Sequence, residues 1–183
     1  MRRAVSDEDK GIRREEILDA AKRVFADKGF HQTAIADIAR TAKLSYGSVY
    51  WYFDSKESLF QALSEREEQA LWRHVGAALE VSGDEDPERI LSRGVRATFE
   101  FFAADPAAAR LLSFERFTAD IERLIVDAQR RGVIVDGPSP VLARSVAGLI
   151  STLAGQLSSE PGFDPDETAE VVVSLLLNGL RPR

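Results

Sequence analysis

The chain has 183 residues, of which 30 are acidic, 24 are basic and none is cysteine, and its formal net charge is −6. This length is enough for a self-supporting core in one or two domains, and the lack of cysteine excludes disulfides, thiolate metal sites and a cysteine nucleophile. No apolar stretch follows the basic N-terminus as it would in a secretory signal, and no apolar run reaches the roughly 20 residues of a membrane span, so we expect a cytoplasmic protein without a membrane segment.

The negative charge is unevenly distributed along the chain. Residues 1–60 hold 11 basic and 10 acidic side chains, whereas residues 61–183 hold 13 basic and 20 acidic ones. Affinity for DNA comes largely from neutralised phosphates and the counterions that they release. A near-neutral first third therefore permits DNA binding without indicating it.

Beyond the polar first ten residues, apolar side chains recur every three or four positions and no run alternates with period two. This spacing predicts an all-α protein of about nine helices. The first helix has an apolar stripe over residues 17–25 and is expected to stop at Gly29. The second should begin with Thr33 as its N-cap, with Asp37 near the positive helix start, and end near Ala42. Its buried side would consist of Ile35, Ile38 and Ala39.

A short third helix, from about Ser45 to Phe53, would complete a helix-turn-helix. Rotation by about 100° per residue places Ser45, Val49 and Tyr52 on one side of it. Tyr46, Gly47 and Tyr50 gather on the other side, which would face DNA. A glycine there lowers helix stability by about 1 kcal/mol but allows a phosphate backbone to approach closely.

The later helix starts are marked by an aspartate or serine, in most cases followed by proline. The marks are Asp54 with Glu57, Asp86-Pro87, Asp105-Pro106, Ser139-Pro140 and Asp164-Pro165, the last with Glu167 as in a capping box. A further helix from about Phe114 to Arg131 should be closed by Gly132. We expect two domains, residues 1–54 and 55–183.

The helix-turn-helix segment closely resembles that of the TetR family of bacterial regulators. The matching residues are Thr33, Ile38, Ala39, Ala42, Ser45, Gly47, Val49, Tyr50, Tyr52, Phe53, Ser55, Lys56 and Leu59. The resemblance covers residues 12–60, about a quarter of the chain. It implies an N-terminal three-helix DNA-binding domain followed by a helical domain for ligand binding and dimerisation.

The resemblance also implies which residues contact DNA. Contacts to the sugar-phosphate backbone fall to Thr33, Tyr50, Tyr52 and Lys56, and base or groove contacts to Tyr46, Ser48 and Trp51. An alternative is that the aromatic run from Tyr50 to Phe53 is simply core, although four consecutive helical positions point in four directions and cannot all be buried together.

One position departs from the family pattern. Lys43 stands in the turn where the family usually has glycine. If this residue is left-handed, its Cβ costs on the order of 1 kcal/mol. We expect the lysine to offset this cost by reaching a DNA phosphate.

By resemblance, the protein is a repressor that binds a palindromic operator in double-stranded DNA as a homodimer and is released by a small hydrophobic effector. The expected effector-binding residues are Trp72, Phe99, Phe102, Phe114 and Phe117, and the expected dimer interface is Leu149, Leu153, Leu157, Val172, Leu175, Leu176 and Leu180. Both sets could instead be ordinary core of one subunit.

Two other classes of protein compete with a regulator. An enzyme is disfavoured because His31 and His74 are isolated and no HExxH, P-loop or GxGxxG motif occurs. A helical adaptor that binds another protein stays open, since the first third is barely basic. No cofactor and no metal is expected.

Overall fold

A computed structural model describes residues 7–80, 86–157 and 164–180. Across these three ranges the chain forms nine helices and no strand, which confirms the all-α prediction. The helices are α1 (Asp7–Gln32), α2 (Ile35–Thr41), α3 (Tyr46–Tyr50), α4 (Lys56–Leu79), α5 (Pro87–Ala104), α6 (Pro106–Leu111), α7 (Phe114–Arg130), α8 (Ser139–Leu157) and α9 (Pro165–Leu180).

Several predicted helix ends are confirmed, together with the chemistry that marks them. The side chain of Asp86 accepts a hydrogen bond from the N–H of Glu88 at 3.1 Å, and α5 begins at the proline after Asp86. Asp164 accepts from the N–H of Asp166 at 2.8 Å at the start of α9. Gly132 has a φ of 67°, the left-handed conformation that ends α7 without a Cβ penalty.

The end of α1 differs from the prediction. Gly29 has the non-helical angles φ 75° and ψ 165°, but a further turn carries the helix to Gln32. Thr33 is not the N-cap of α2, as Ala34 holds that position. The Thr33 hydroxyl instead donates to the carbonyl oxygen of Gly29 at 2.8 Å, because that carbonyl is left without a helical partner by the break.

The chain divides into two compact units, Met1–Arg66 and Glu67–Arg183. In the first unit the apolar sides of α1, α2 and α3 meet, and the N-terminal part of α4 completes the core. Its buried residues are Ile17, Leu18, Ala20, Ala21, Val24, Phe25, Ile35, Ile38, Ala39, Val49, Phe53, Leu59 and Leu63. Phe60 packs edge-on against Phe25, with ring centroids 5.2 Å apart.

Ion pairs also join α4 to α1 within the first unit. The guanidinium of Arg66 donates to Asp19 at 2.8 Å and to Glu15 at 3.2 Å. Lys56, at the other end of the same stretch of α4, donates to the main chain that follows Gly29. The N-terminal part of α4 is therefore attached to α1 at two places about ten residues apart.

The second unit is built on two helix pairs, α5 with α9 and α7 with α8. Its core contains Leu71, Val75, Val95, Phe99, Phe102, Phe117, Ala147, Ile150, Ala154, Ala169, Val172 and Leu176. None of the helices over the described ranges is long and apolar enough to cross a membrane.

Candidate nucleic-acid interface

The turn between α2 and α3 is a Schellman motif with a lysine at its left-handed position. The N–H of Leu44 donates to the carbonyl of Ala39 at 2.9 Å, and the N–H of Lys43 donates to that of Arg40 at 3.1 Å. Lys43 has a φ of 57°, and no other non-glycine residue in the described part of the chain has a positive φ. Lys43 thus has the left-handed conformation that the sequence analysis considered, and the residue is exposed.

Serine starts α3 and a valine holds it in place. The Ser45 hydroxyl accepts from the N–H of Ser48 at 3.1 Å, which satisfies one of the free donors at the helix start. Val49 is fully buried and, with Phe53 just beyond the helix, attaches α3 to the core of the first unit. One side of this short helix is therefore anchored in the core, and the opposite side is exposed to solvent.

The free side of α3 carries the residues predicted to face DNA. Tyr46, Tyr50 and Trp51 are 55%, 39% and 65% exposed, and Gly47 lies between them. Ser48 is half-buried beside this group. We call Tyr46, Gly47, Ser48, Tyr50 and Trp51 the reading surface. Its exposure shows that the aromatic run from Tyr50 is not simply core, although Phe53 is buried.

The hydroxyl groups of this part of the chain are paired with one another. The Tyr46 hydroxyl donates to that of Tyr50 at 3.2 Å, and their ring centroids are 4.9 Å apart. The hydroxyls of Ser45 and Ser48 lie 2.6 Å apart.

Gly47 is not required by packing within the protein. A Cβ built on it would have no atom within 4 Å. Packing within the protein therefore does not explain the glycine. A close approach of the phosphate backbone of DNA, as expected from the sequence, would explain it.

Three of the residues expected to contact the DNA backbone lie deeper than the reading surface. Thr33 is only 3% exposed, with its hydroxyl bound to Gly29. Lys56 donates to the carbonyls of Phe30 and Thr33 at 2.9 and 3.1 Å. Tyr52 is half-buried, with its ring 4.7 Å from that of Trp51. Thr33 and Lys56 thus have clear structural roles, whatever else they contact.

The sequence analysis did not predict the ion pairs and the hydrogen bond that surround Asp37. Its carboxylate binds Lys28 at 3.1 Å, accepts from the N–H of Ala34 at 3.4 Å and also pairs with Arg40. These partners, Lys28 first, hold the pKa of Asp37 below its ordinary value. The acidic residue expected near the start of α2 therefore also joins α2 to α1. The spacing of Asp37 and Arg40 was a usable signal for one of these pairs.

The residues predicted for an effector site are brought together only in part. Phe102, Phe114 and Phe117 line an apolar cavity of about 90 Å³ in the second unit, together with Ala109, Leu112, Ser151 and Ala154. Phe99 is fully buried away from the cavity lining. Trp72 lies in a separate surface depression, where its indole N–H donates to Asp120 at 2.6 Å.

The residues predicted for the dimer interface separate into covered and uncovered ones. Val172 and Leu176 are buried in the core of the single chain, so they are not free to form an interface with another copy. Within the chain, α5 and α8 already cover that side of α9. Leu149 and Leu153 pack half-buried against the same core, whereas Leu175 is 57% exposed. The side chains of Leu157 and Leu180 lie outside the described residues.

A short helix presented on the far side of a tight turn, with its outer residues free, defines a helix-turn-helix DNA-binding protein. The sequence profile of the bacterial regulatory proteins of the tetR family matches residues 17–63. The chain is also 30% identical over 178 residues to the HTH-type transcriptional repressor AcnR of Corynebacterium diphtheriae, covering 92% of each chain. The protein belongs to the TetR family and is a DNA-binding transcriptional regulator.

Two further comparisons extend the likeness beyond the helix-turn-helix. The HTH-type transcriptional regulator TtgR of Pseudomonas putida is 29% identical over 174 residues, 91% of this chain and 77% of TtgR. The crystal structure of FadR from Bacillus subtilis in complex with stearoyl-CoA has the same fold, with a TM-score of 0.72 at 23% identity, covering 90% of this chain and 98% of FadR. Members of this family are transcriptional regulators, so the chain is not an enzyme.

Proposed function

We propose that this protein represses transcription by binding a palindromic operator as a homodimer, and that a small hydrophobic effector releases it. The observation that carries the proposal is the reading surface of α3, which is exposed while the opposite side of the same helix is anchored by buried Val49. Repression then needs only occupancy of a promoter, and the relative AcnR is itself named a repressor. Because an operator lies on the bacterial chromosome, we expect the protein to act in the cytoplasm.

Dimerisation is supported by the surface of α9. Val171 and Leu175 are both more than half exposed, one helical turn apart, on a side of the helix that the chain itself leaves uncovered. A helix of five residues reaches only a few base pairs, so a single half-site would be bound weakly. Two copies related by a two-fold axis would read two half-sites and multiply their affinities.

Release by an effector is supported by the apolar cavity lined by Phe102, Phe114 and Phe117. At about 90 Å³ it is smaller than the roughly 300 Å³ at which ligand pockets usually begin. An effector would therefore have to widen the cavity and so favour a different arrangement of the second unit, which is what a shift of population requires. The related fold of FadR has been solved with stearoyl-CoA bound.

A mobility-shift titration tests the proposal. The probes are the DNA upstream of the encoding gene and a scrambled duplex of the same composition, with the wild-type protein and a Tyr46→Ala, Trp51→Ala double variant. We expect retention of the upstream DNA by the wild type alone, at a stoichiometry of two chains per operator. Equal retention of both duplexes, or undiminished binding by the double variant, would contradict it. Adding aliphatic acyl compounds to the preformed complex then tests release.

A further inference from the structure

The tyrosine pair on α3 limits what Tyr46 can read. A phenol has one proton to donate, and that of Tyr46 is used in the bond to the Tyr50 hydroxyl. In this arrangement Tyr46 has no donor left for the acceptor atoms of the major groove, which are N7 and O6 of guanine, N7 of adenine and O4 of thymine. Recognition of a guanine by this side chain is thereby disfavoured.

What Tyr46 does expose is an apolar ring. The residue is 55% exposed, and its ring is held against that of Tyr50 at a centroid distance of 4.9 Å. The major groove contains one apolar group, the C5 methyl of thymine. A ring already held by a neighbour and a hydrogen bond loses little rotational freedom when it contacts that methyl.

We propose that Tyr46, positioned by Tyr50, selects a thymine in each operator half-site by contact of its ring with the 5-methyl group. The inference rests on the proposed function, since it names the base chemistry that the same surface reads. The paired hydroxyls of Ser45 and Ser48 act in the same direction, because they too satisfy each other next to the groove-facing side. Tyr46 is thus a specificity-determining residue, and Tyr50 is its positioning residue.

The size of the effect follows from the burial of one methyl group. Removing one buried methyl from a contact corresponds to about a four-fold change in an equilibrium constant. If a dimer makes the contact twice, removal from both half-sites lowers affinity by about 15-fold. A change of this size is measurable, and it is independent of any change in hydrogen bonding if the methyl alone is removed.

The test uses duplexes recovered by the wild-type protein from a random-sequence library. Each thymine is replaced in turn by deoxyuridine, symmetrically in both half-sites, which removes only the methyl group. We expect one position at which affinity falls by about 15-fold. A 5-methylcytosine·guanine pair at that position should bind more tightly than a cytosine·guanine pair by a similar factor.

Two variants assign the effect to the ring of Tyr46. Tyr46→Phe keeps the ring and removes the hydroxyl, and should retain the preference for thymine over deoxyuridine. Tyr46→Ala should bind both duplexes equally. If Tyr46→Phe also loses the preference, or Tyr46→Ala keeps it, reading by the ring is overturned.

The outcomes separate the two proposals. Failure to recover any preferred duplex from the library contradicts the proposed function itself. Recovery of a preferred duplex that is insensitive to deoxyuridine at every position overturns the inference about Tyr46 and leaves operator binding intact. Both readouts on the wild-type protein are independent of whether a variant folds.

Discussion

The ammonium group of Lys56 donates a hydrogen bond to the carbonyl oxygen of Phe30 at 2.9 Å and lies 4.4 Å from the centroid of the Phe30 ring. It also donates to the carbonyl of Thr33 at 3.1 Å. These carbonyls lie at the C-terminal end of α1, beyond the break at Gly29, where carbonyl oxygens lack the N–H partners of a continuing helix. A lysine at the start of α4 therefore satisfies the end of α1, and the two helices are held together by charge as well as by apolar packing.

Replacement of Lys56 by methionine should destabilise the protein. The variant keeps the length of the side chain but removes two charge-assisted hydrogen bonds, so we expect the free energy of unfolding to fall by about 1 to 2 kcal/mol in urea denaturation. Arg23→Met, which removes an exposed positive charge from α1, is the matched control and should change little. Unchanged stability combined with weaker DNA binding would assign the ammonium group to phosphate instead.

Two substitutions at Lys43 should separate backbone strain from charge. Lys43→Gly relieves the left-handed conformation and should raise the free energy of unfolding by about 1 kcal/mol, whereas Lys43→Ala keeps the Cβ and should not. Both should make the dependence of log affinity on log salt shallower by about 0.9 per protomer, if the lysine neutralises a phosphate. Equal stability of the two variants, or an unchanged slope, would refute the corresponding half of the prediction.

Gly47→Ala should have opposite effects on folding and on DNA binding. No protein atom lies within 4 Å of the added methyl, so helix propensity alone should stabilise the protein by about 0.5 to 1 kcal/mol. Operator affinity should fall about tenfold because the methyl obstructs the approaching backbone. Gly76→Ala, equally unobstructed but in α4 of the second unit, should stabilise without affecting affinity. Wild-type affinity in Gly47→Ala would mean that DNA does not approach there.

The ion pairs of Asp37 should make stability depend on pH. Its pKa is lowered in the folded protein from the ordinary 3.8, chiefly by the hydrogen bond from Lys28, so the carboxylate stabilises the fold above that pH. The contribution is lost as the pH falls below 3.8 and through the lowered pKa. Thermal midpoints of Asp37→Asn should therefore lie below wild type at pH 7 and converge with it in acid. The exposed Asp27→Asn should run parallel to wild type throughout.

A charge on the uncovered side of α9 should separate the dimer. Leu175→Glu places a carboxylate in the proposed interface, so light scattering at micromolar concentration should give the mass of a monomer. Leu124→Glu is the control, since Leu124 is 55% exposed on α7 and Leu175 is 57% exposed. Operator affinity should fall only in Leu175→Glu. If both variants form dimers, or if the wild type is a monomer, the uncovered side of α9 is not the dimer interface.

The helix boundaries were predictable because the chemistry that sets them is local. Asp86 and Asp164 cap the helices that follow them, and Gly132 closes α7, with all partners within a few residues. The exposed side of α3 follows from helical rotation once Val49 is recognised as its anchor. The pairing of Tyr46 with Tyr50 is likewise a four-residue relationship that a sequence can reveal.

Other features depend on choices between partners that local sequence does not decide. The Thr33 hydroxyl could either cap the N–H groups at the start of α2 or donate to the carbonyl of Gly29, and in the structure it donates to Gly29. Lys56 matches a family position for DNA contact, yet its partners are carbonyls more than 20 residues earlier. On α9, Val171 and Val172 are equally apolar neighbours, and only the packing of α5 and α8 decides which of them is buried.

The separation of Val49 from Tyr46 on α3 has a consequence for how such a regulator evolves. The residue that holds the helix is buried, and the residue proposed to choose the base lies three positions away, outside the core. A mutation of Tyr46 can therefore change the preferred operator with little effect on folding, whereas a mutation of the buried Val49 destabilises the fold. After gene duplication, copies of this scaffold can acquire separate target genes through single changes on one side of a five-residue helix.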